Sequence, residues 1–180
     1  MANDMTMHYY RASTPATQAA WKTYSEQCDA IVAASRAFAA LFPGAKAVYS
    51  GGTSGRSFFG LSFDPLMPFD IWTKPMRNEG RTQSPRARLV AKGVSDRTER
   101  MAELRRIQEI YKANRPTARA SLDPVLESLG TDWGILLLYG YRLIESNGAL
   151  YIATALTLGA PCEEITGSEF DAAFKAVRHG

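Results

Sequence analysis

The sequence predicts an α+β fold in which an antiparallel sheet, built from two hairpins, packs against a long N-terminal helix and further helices. Three observations point there. Apolar residues recur every three or four positions between Thr14 and Pro43, as an amphipathic helix requires. Phe59, Leu61 and Phe63 alternate, as one face of a strand does. Asn147-Gly148 separates two apolar runs, and both residues tolerate the positive φ of a two-residue hairpin turn.

The long helix starts at Thr14-Pro15, a hydroxyl cap followed by proline at the first helical position. Its stripe is Trp21, Tyr24, Cys28, Ile31 or Val32, Phe38 and Leu41, and Pro43-Gly44 stops it. Lys46 to Ser50 and Arg56 to Asp64 form the first hairpin around the loop Gly51-Gly52-Thr53-Ser54-Gly55. Residues from about 65 to 95 are polar, basic and broken by proline and glycine, with no sustained periodicity. An irregular excursion of that length inside a compact domain is usually functional or disordered. Asp96-Arg97-Thr98-Glu99 then reads as a capping box, opening a helix with the stripe Met101, Leu104, Ile107 and Tyr111 that ends before Pro116. A shorter helix runs from Asp123-Pro124 to Gly130. Residues 134–139 are too few and too apolar for periodicity to decide between strand and helix. Tyr141 to Ser146 and Ala149 to Thr154 form the second hairpin, and Ser168-Glu169-Phe170-Asp171 caps a last helix with Phe174 and Val177 inward.

A chain of 180 residues, 46% hydrophobic, suffices for a single domain over residues 1–180 with a real core. Charged residues at 22% and aromatics at 11% argue against wholesale disorder. There is no apolar run of about 18 residues, so no membrane span is expected. Met1 to Tyr10 lacks a basic start followed by an apolar stretch, so no secretory signal is expected either. Cys28 and Cys162 stand far apart outside any C-x-x-C pair, and His8 and His179 lie in terminal segments expected to fray. Neither a structural zinc nor any other cofactor is expected, and the thiols suit a reducing cytoplasm.

Charge is segregated. Thr73 to Arg119 holds 13 Lys or Arg against 5 Asp or Glu, or +8, and the remainder holds 8 against 13, or −5, which together give +3. Such separation creates a field that attracts an anionic partner.

Candidate chemistry is sparse. The loop at Gly51 to Gly55 fails as a P-loop: its glycine spacing is wrong, Arg56 stands where Lys is needed, and a strand follows where a helix must begin. Nucleophilic catalysis lacks a histidine held in a packed site, and Asp64, Asp70, Asp123 and Asp132 show no spacing that specifies an acid–base pair. An enzyme therefore ranks last. The segment holding Trp72, Lys74, Arg77, Arg81, Arg86 and Arg88 is the candidate ligand site. Aromatic rings among guanidinium groups suit stacking on a base while the forks grip phosphates. Trp72 is either a plug that pins the loop or the stacking platform itself. The helix from Asp96 to Arg115 interleaves Glu99, Glu103 and Glu109 with its arginines, so a face laced with ion pairs is the expected reading.

At Trp72-Thr73-Lys74-Pro75, at Glu164-Ile165-Thr166-Gly167-Ser168-Glu169-Phe170 and at Tyr9-Tyr10-Arg11-Ala12-Ser13-Thr14-Pro15 the chain resembles an uncharacterised family of small phage and prophage accessory proteins. The resemblance implies a viral accessory protein of the bacterial cytoplasm, of a kind that often neutralises host components such as defence systems and their nucleotide signals. It carries no site residue over. The function expected is non-catalytic binding of an anionic small molecule, a nucleotide or a nucleotide-derived defence signal. The alternatives are a protein–protein module docking on an acidic host protein, and a nucleic-acid-binding regulator. A homo-oligomer, in which acidic and basic regions pair, stays open.

Overall fold

The computed structural model describes residues 6–49, 56–59, 61–65 and 99–179. The fold is α+β, with antiparallel sheets and a long N-terminal helix. In chain order the elements are β1 (His8–Ala12), α1 (Pro15–Leu41), β2 (Val48–Tyr49), β3 (Arg56–Phe58), β4 (Leu61–Ser62), α2 (Glu99–Ala120), α3 (Asp123–Ser128), α4 (Trp133–Tyr139), β5 (Tyr141–Ser146), β6 (Ala149–Thr154), β7 (Glu163–Glu164) and α5 (Gly167–His179). The glycine loop, residues 66–95 of the excursion and the box opening at Asp96 lie outside the described residues. Two compact units divide the rest. One holds residues 6–27 and 117–179, the other residues 28–49, 56–59, 61–65 and 99–116, so α1 and α2 each contribute to both.

The first unit is built on a four-stranded sheet of order β5-β6-β1-β7. Its interior strand β1 comes from residues expected to fray. It pairs with β6 from His8↔Thr154 to Ala12↔Leu150, and with β7 through Tyr10↔Glu164 and Arg11↔Glu163. Tyr10 and Ala12 are buried, and the Tyr10 hydroxyl accepts from the Leu158 amide at 3.1 Å. The hairpin of β5 and β6 turns at Asn147 (φ +52°) and Gly148 (φ +77°), as the dipeptide predicts. The other hairpin lies in a separate sheet. The Thr14 hydroxyl caps α1 by accepting from the Thr17 amide at 3.2 Å. The undecided stretch is helical, because Asp132 Oδ1 accepts from the Ile135 amide at 3.0 Å and Gly140, at φ +70°, ends the helix.

The last helix starts earlier than expected. Thr166 and Glu169, rather than Ser168 and Asp171, make the capping box: Thr166 Oγ1 accepts from the Glu169 amide at 3.3 Å, and Glu169 Oε2 accepts from the Thr166 amide at 2.8 Å. Ser168 already sits in the first turn. Phe170 and Ala173 are buried, while Phe174 and Val177 are half-buried. A Cβ at Gly167 would meet the Tyr9 ring at 3.2 Å, so any larger residue there would oblige the ring to shift by a few tenths of an ångström.

In the second unit Phe38 is buried at the centre of an aromatic cluster, its ring 5.2 Å from Phe42, 5.6 Å from Phe58 and 5.4 Å from Phe63. The strand expected from Arg56 to Asp64 is broken. Phe59 turns at φ +50°, and β4 folds back on β3 with Phe58 opposite Leu61. The buried set is therefore Phe58, Leu61 and Phe63, with Phe59 only half-buried. Met101, Leu104, Ile107 and Tyr111 of α2 are buried as predicted. The helix nevertheless continues through Pro116 to Ala120. Proline removes one intrahelical bond, at about 3 kcal/mol, but does not forbid the next turn when that turn is buried, as Ala118 is.

Two outcomes follow. Ile107→Ala removes a fully buried side chain and should lower unfolding free energy by about 2–5 kcal/mol in a urea titration. The Glu169 carboxyl is held below its ordinary range, first by the Thr166 amide and then by the Thr166 hydroxyl. Its contribution is complete above the unfolded value of about 4.3 and is lost as pH falls through the lower folded value. The difference in melting temperature between the native chain and Glu169→Gln should therefore be largest near neutrality and shrink on acidification.

Candidate functional site

The end of α1 is shaped by its stop signal. The Phe42 amide donates to the Ala39 carbonyl at 3.1 Å, the Ala45 amide donates to the Phe42 carbonyl at 2.9 Å, and Gly44 takes φ +87°. This tight turn leaves the Phe42 ring packed inward and carries the chain on to exposed Lys46. Phe59 meets Phe42 edge-on with ring centres 5.4 Å apart. Arg100, in the first turns of α2, lays its guanidinium 5.9 Å from the Phe42 ring centre. Together these groups line a cleft of about 500 Å³, which among the described residues holds two cations and no acidic side chain.

The cations of this cleft differ from those of the ion-paired faces of α2 and β1. Arg106 donates to both oxygens of Glu103, at 2.8 and 2.5 Å, and that hydrogen bond holds the Glu103 carboxyl below its usual range. Lys112 lies 3.6 Å from Glu109, and Arg11 lies 2.7 Å from Glu163. The ion-paired face expected of α2 is thus present. Among the described residues Lys46 and Arg100 make no ion pair.

The sequence-predicted site residues Trp72, Lys74, Arg77, Arg81, Arg86 and Arg88 lie outside the described residues, as does Asp70. Of the other carboxylates, Asp132 caps α4, Asp123 opens α3, and Asp64 is buried beside Tyr111, whose hydroxyl donates to the Asp64 carbonyl. Burial pushes the Tyr111 hydroxyl far above its ordinary value, so it stays a neutral donor. His8 belongs to β1, half-buried, with Nδ1 3.3 Å from Glu164 Oε1, rather than to a frayed terminus. No group of three or more His, Cys, Asp or Glu among the described residues is placed to hold a metal. No described helix is long and apolar enough to cross a membrane. Phe42, Lys46, Phe59 and Arg100 are not among the site residues expected from the sequence. The signal that points to them is the pair of aromatics, Phe38 and Phe42, one helical turn apart just before Pro43-Gly44.

The family model described as bacteriophage Mu gene product 12 matches residues 7–179. No curated protein and no solved structure matches the chain.

The two thiols bear on nucleophilic chemistry. Neither is in a disulfide, Cys28 is buried, and burial pushes the Cys162 thiol up to about 11. At pH 8 only about one Cys162 in a thousand is then thiolate. A disulfide reagent at that pH should react slowly with the folded chain and rapidly with both thiols once urea unfolds it.

Proposed function

The chain belongs to the bacteriophage Mu gene product 12 family, and on that premise we propose a phage accessory protein of the bacterial cytoplasm that binds an anionic ligand without transforming it. The observation that carries this reading is the cleft in which Arg100 and Lys46, neither ion-paired among the described residues, accompany the rings of Phe42 and Phe59. Its volume of about 500 Å³ falls within the range of small-molecule sites. Two charge-assisted hydrogen bonds, at about 1.5–3 kcal/mol each, and one stacked ring, at about 1–3 kcal/mol, suit a nucleotide held in the micromolar range. The basic sequence around Trp72, with Lys74, Arg77, Arg81, Arg86 and Arg88, has the composition that suits the same ligand class. The ligand is accordingly a nucleotide or a nucleotide-derived signal of host defence.

Isothermal titration with a panel of linear and cyclic nucleotides should give micromolar binding for at least one member, weakening as salt is raised. The double substitution Lys46→Glu with Arg100→Glu should weaken it more than tenfold while the circular dichroism melt is preserved. Folded protein that releases no heat with any nucleotide would sink the proposal.

A further inference from the structure

Helix α5 does not fill the whole of the sheet face on which it packs. Phe170 is buried there and Phe174 half-buried, but Ala172, Ala173 and Ala176 stand where larger side chains would close the gap. They leave a pocket of about 310 Å³ between α5 and the turn end of the β5–β6 hairpin. Register places its polar wall. Arg11 of β1 stands opposite Tyr151 of β6, and Tyr151 opposite Ile144 of β5. Strand alternation therefore sets Arg11, Tyr151 and Ser146 on the face that carries Tyr9, whose ring packs on Phe170 of α5. Asn147 of the turn and Glu169 of α5 complete that wall, and Ile165 joins the alanines in the apolar part.

These polar groups have bonding capacity left over. Ser146 is only 7% exposed, yet its hydroxyl has no hydrogen-bond partner among the described residues. A buried hydroxyl is costly unless something meets it, so Ser146 marks a place where a donor or acceptor is wanted. Among the described residues the Tyr151 hydroxyl and the Asn147 side-chain amide have no partner either. Glu169 commits Oε2 to Thr166 and keeps Oε1. Arg11 commits Nη2 to Glu163 and keeps Nη1 and Nε.

Charge selects the ligand class. Glu163 already neutralises Arg11, and Glu169 adds a second carboxylate, so an anion gains nothing here. A cation would meet the Arg11 guanidinium. What suits the wall is a neutral molecule whose groups both donate and accept. Sugar hydroxyls do both, as do the hydroxyls of Ser146 and Tyr151 and the amide of Asn147. The volume lies at the lower end of small-molecule sites, which fits one ring rather than several.

We propose that this pocket binds one neutral sugar ring. Its hydroxyls meet Ser146, Tyr151 and Asn147, accept from Arg11 and donate to Glu169, while its C–H face lies on Ile165 and the alanines. The proposal goes beyond the nucleotide reading and shares no residue with that cleft, so either can fail without the other.

Amide NMR of the full chain, titrated to about 50 mM with D-glucose, D-galactose, D-mannose and N-acetyl-D-glucosamine, tests it. At least one sugar should give saturable shifts at Ser146, Asn147 and Tyr151, with a dissociation constant in the millimolar range. Tyr151→Phe keeps the ring and removes a hydroxyl that the described fold leaves unused. It should weaken binding about fivefold or more with no change in melting temperature. Ala176→Trp, at an exposed position on the rim, should fill the pocket and abolish the shifts. Methyl glycosides separate two sources: weaker binding than the parent sugars points to a free sugar, equal or tighter binding to a unit within a glycan. The proposal is overturned if no sugar shifts these amides saturably, if the shifts survive Ala176→Trp, or if nucleotides alone produce them.

Discussion

The first unit depends on β1 being inserted between β6 and β7, where it closes backbone ladders on both sides with residues far along the chain. Without it the β5–β6 hairpin would stand alone, and an isolated two-stranded hairpin is marginal in water. The insertion is held by more than the ladder. Tyr10 is 2% exposed with its hydroxyl engaged by the Leu158 amide, and the Tyr9 carbonyl accepts from Ile165 at 2.8 Å. Loop closure grows only logarithmically with chain length, so the long separation adds little to the cost of ordering the strand. The same strand fixes where α1 begins, since only Ser13 and Thr14 separate them. It also brings the Tyr9 ring against Gly167 and Phe170, so the start of α5 is seated by β1 as well.

What the sequence disclosed follows the length of each signal. α1, the buried stripe of α2 and the Asn147-Gly148 hairpin each rest on a long period or on a turn chemistry with few solutions, and all three are present. β1 offers only His8-Tyr9-Tyr10-Arg11-Ala12, in which Tyr10 and Ala12 alternate with Tyr9 and Arg11. Five residues cannot establish a period of two. The break at Phe59 was hidden because the alternation of Phe59, Leu61 and Phe63 suits a straight strand, whereas packing against Phe38 selects Phe58, Leu61 and Phe63. Pro116 misled in the opposite sense, since a local breaker was overridden by burial of the turn beyond it. Of the candidate site, the segment to which the sequence pointed, Trp72 to Arg88, lies outside the described residues, and the described cleft is built from other residues. The sequence did not disclose that Arg100 and Lys46 share one cleft, because they stand 54 positions apart in the chain.

Formal charge therefore says less than its pairing. α2 carries a basic sequence, but Glu103 and Glu109 consume Arg106 and Lys112. Exposed pairs of this kind add little stability, about 0–1 kcal/mol. Their larger effect is on the field, which they flatten along that face. Arg100 lies one turn before Glu103, and the latter is already bound to both donors of Arg106, so its negative charge is largely committed elsewhere. The field that remains near Phe42 is thus shaped by which carboxylates are engaged, a property of three- and four-residue spacing along one helix.

The geometry of that cleft is set by groups that do not line it. Tyr111 stands about 16 Å up the helix axis from Arg100, at a rise of about 1.5 Å per residue, and its hydroxyl is fastened to the carbonyl of Asp64. This joins α2 to the segment directly after β4, and the Tyr111 ring meets Phe63 edge-on at 6.0 Å. Phe63 in turn packs on Phe38, one turn before Phe42 in α1. The chain of contacts from Arg100 through Tyr111, Phe63 and Phe38 to Phe42 is closed by the guanidinium over the Phe42 ring. Stacking an arginine on a ring at an exposed site contributes only about 0.5–1 kcal/mol, too little to position two helices by itself. Burial of Tyr111, Phe63 and Phe38 contributes far more, so the core places the cation and the cation–ring contact merely reports the placement.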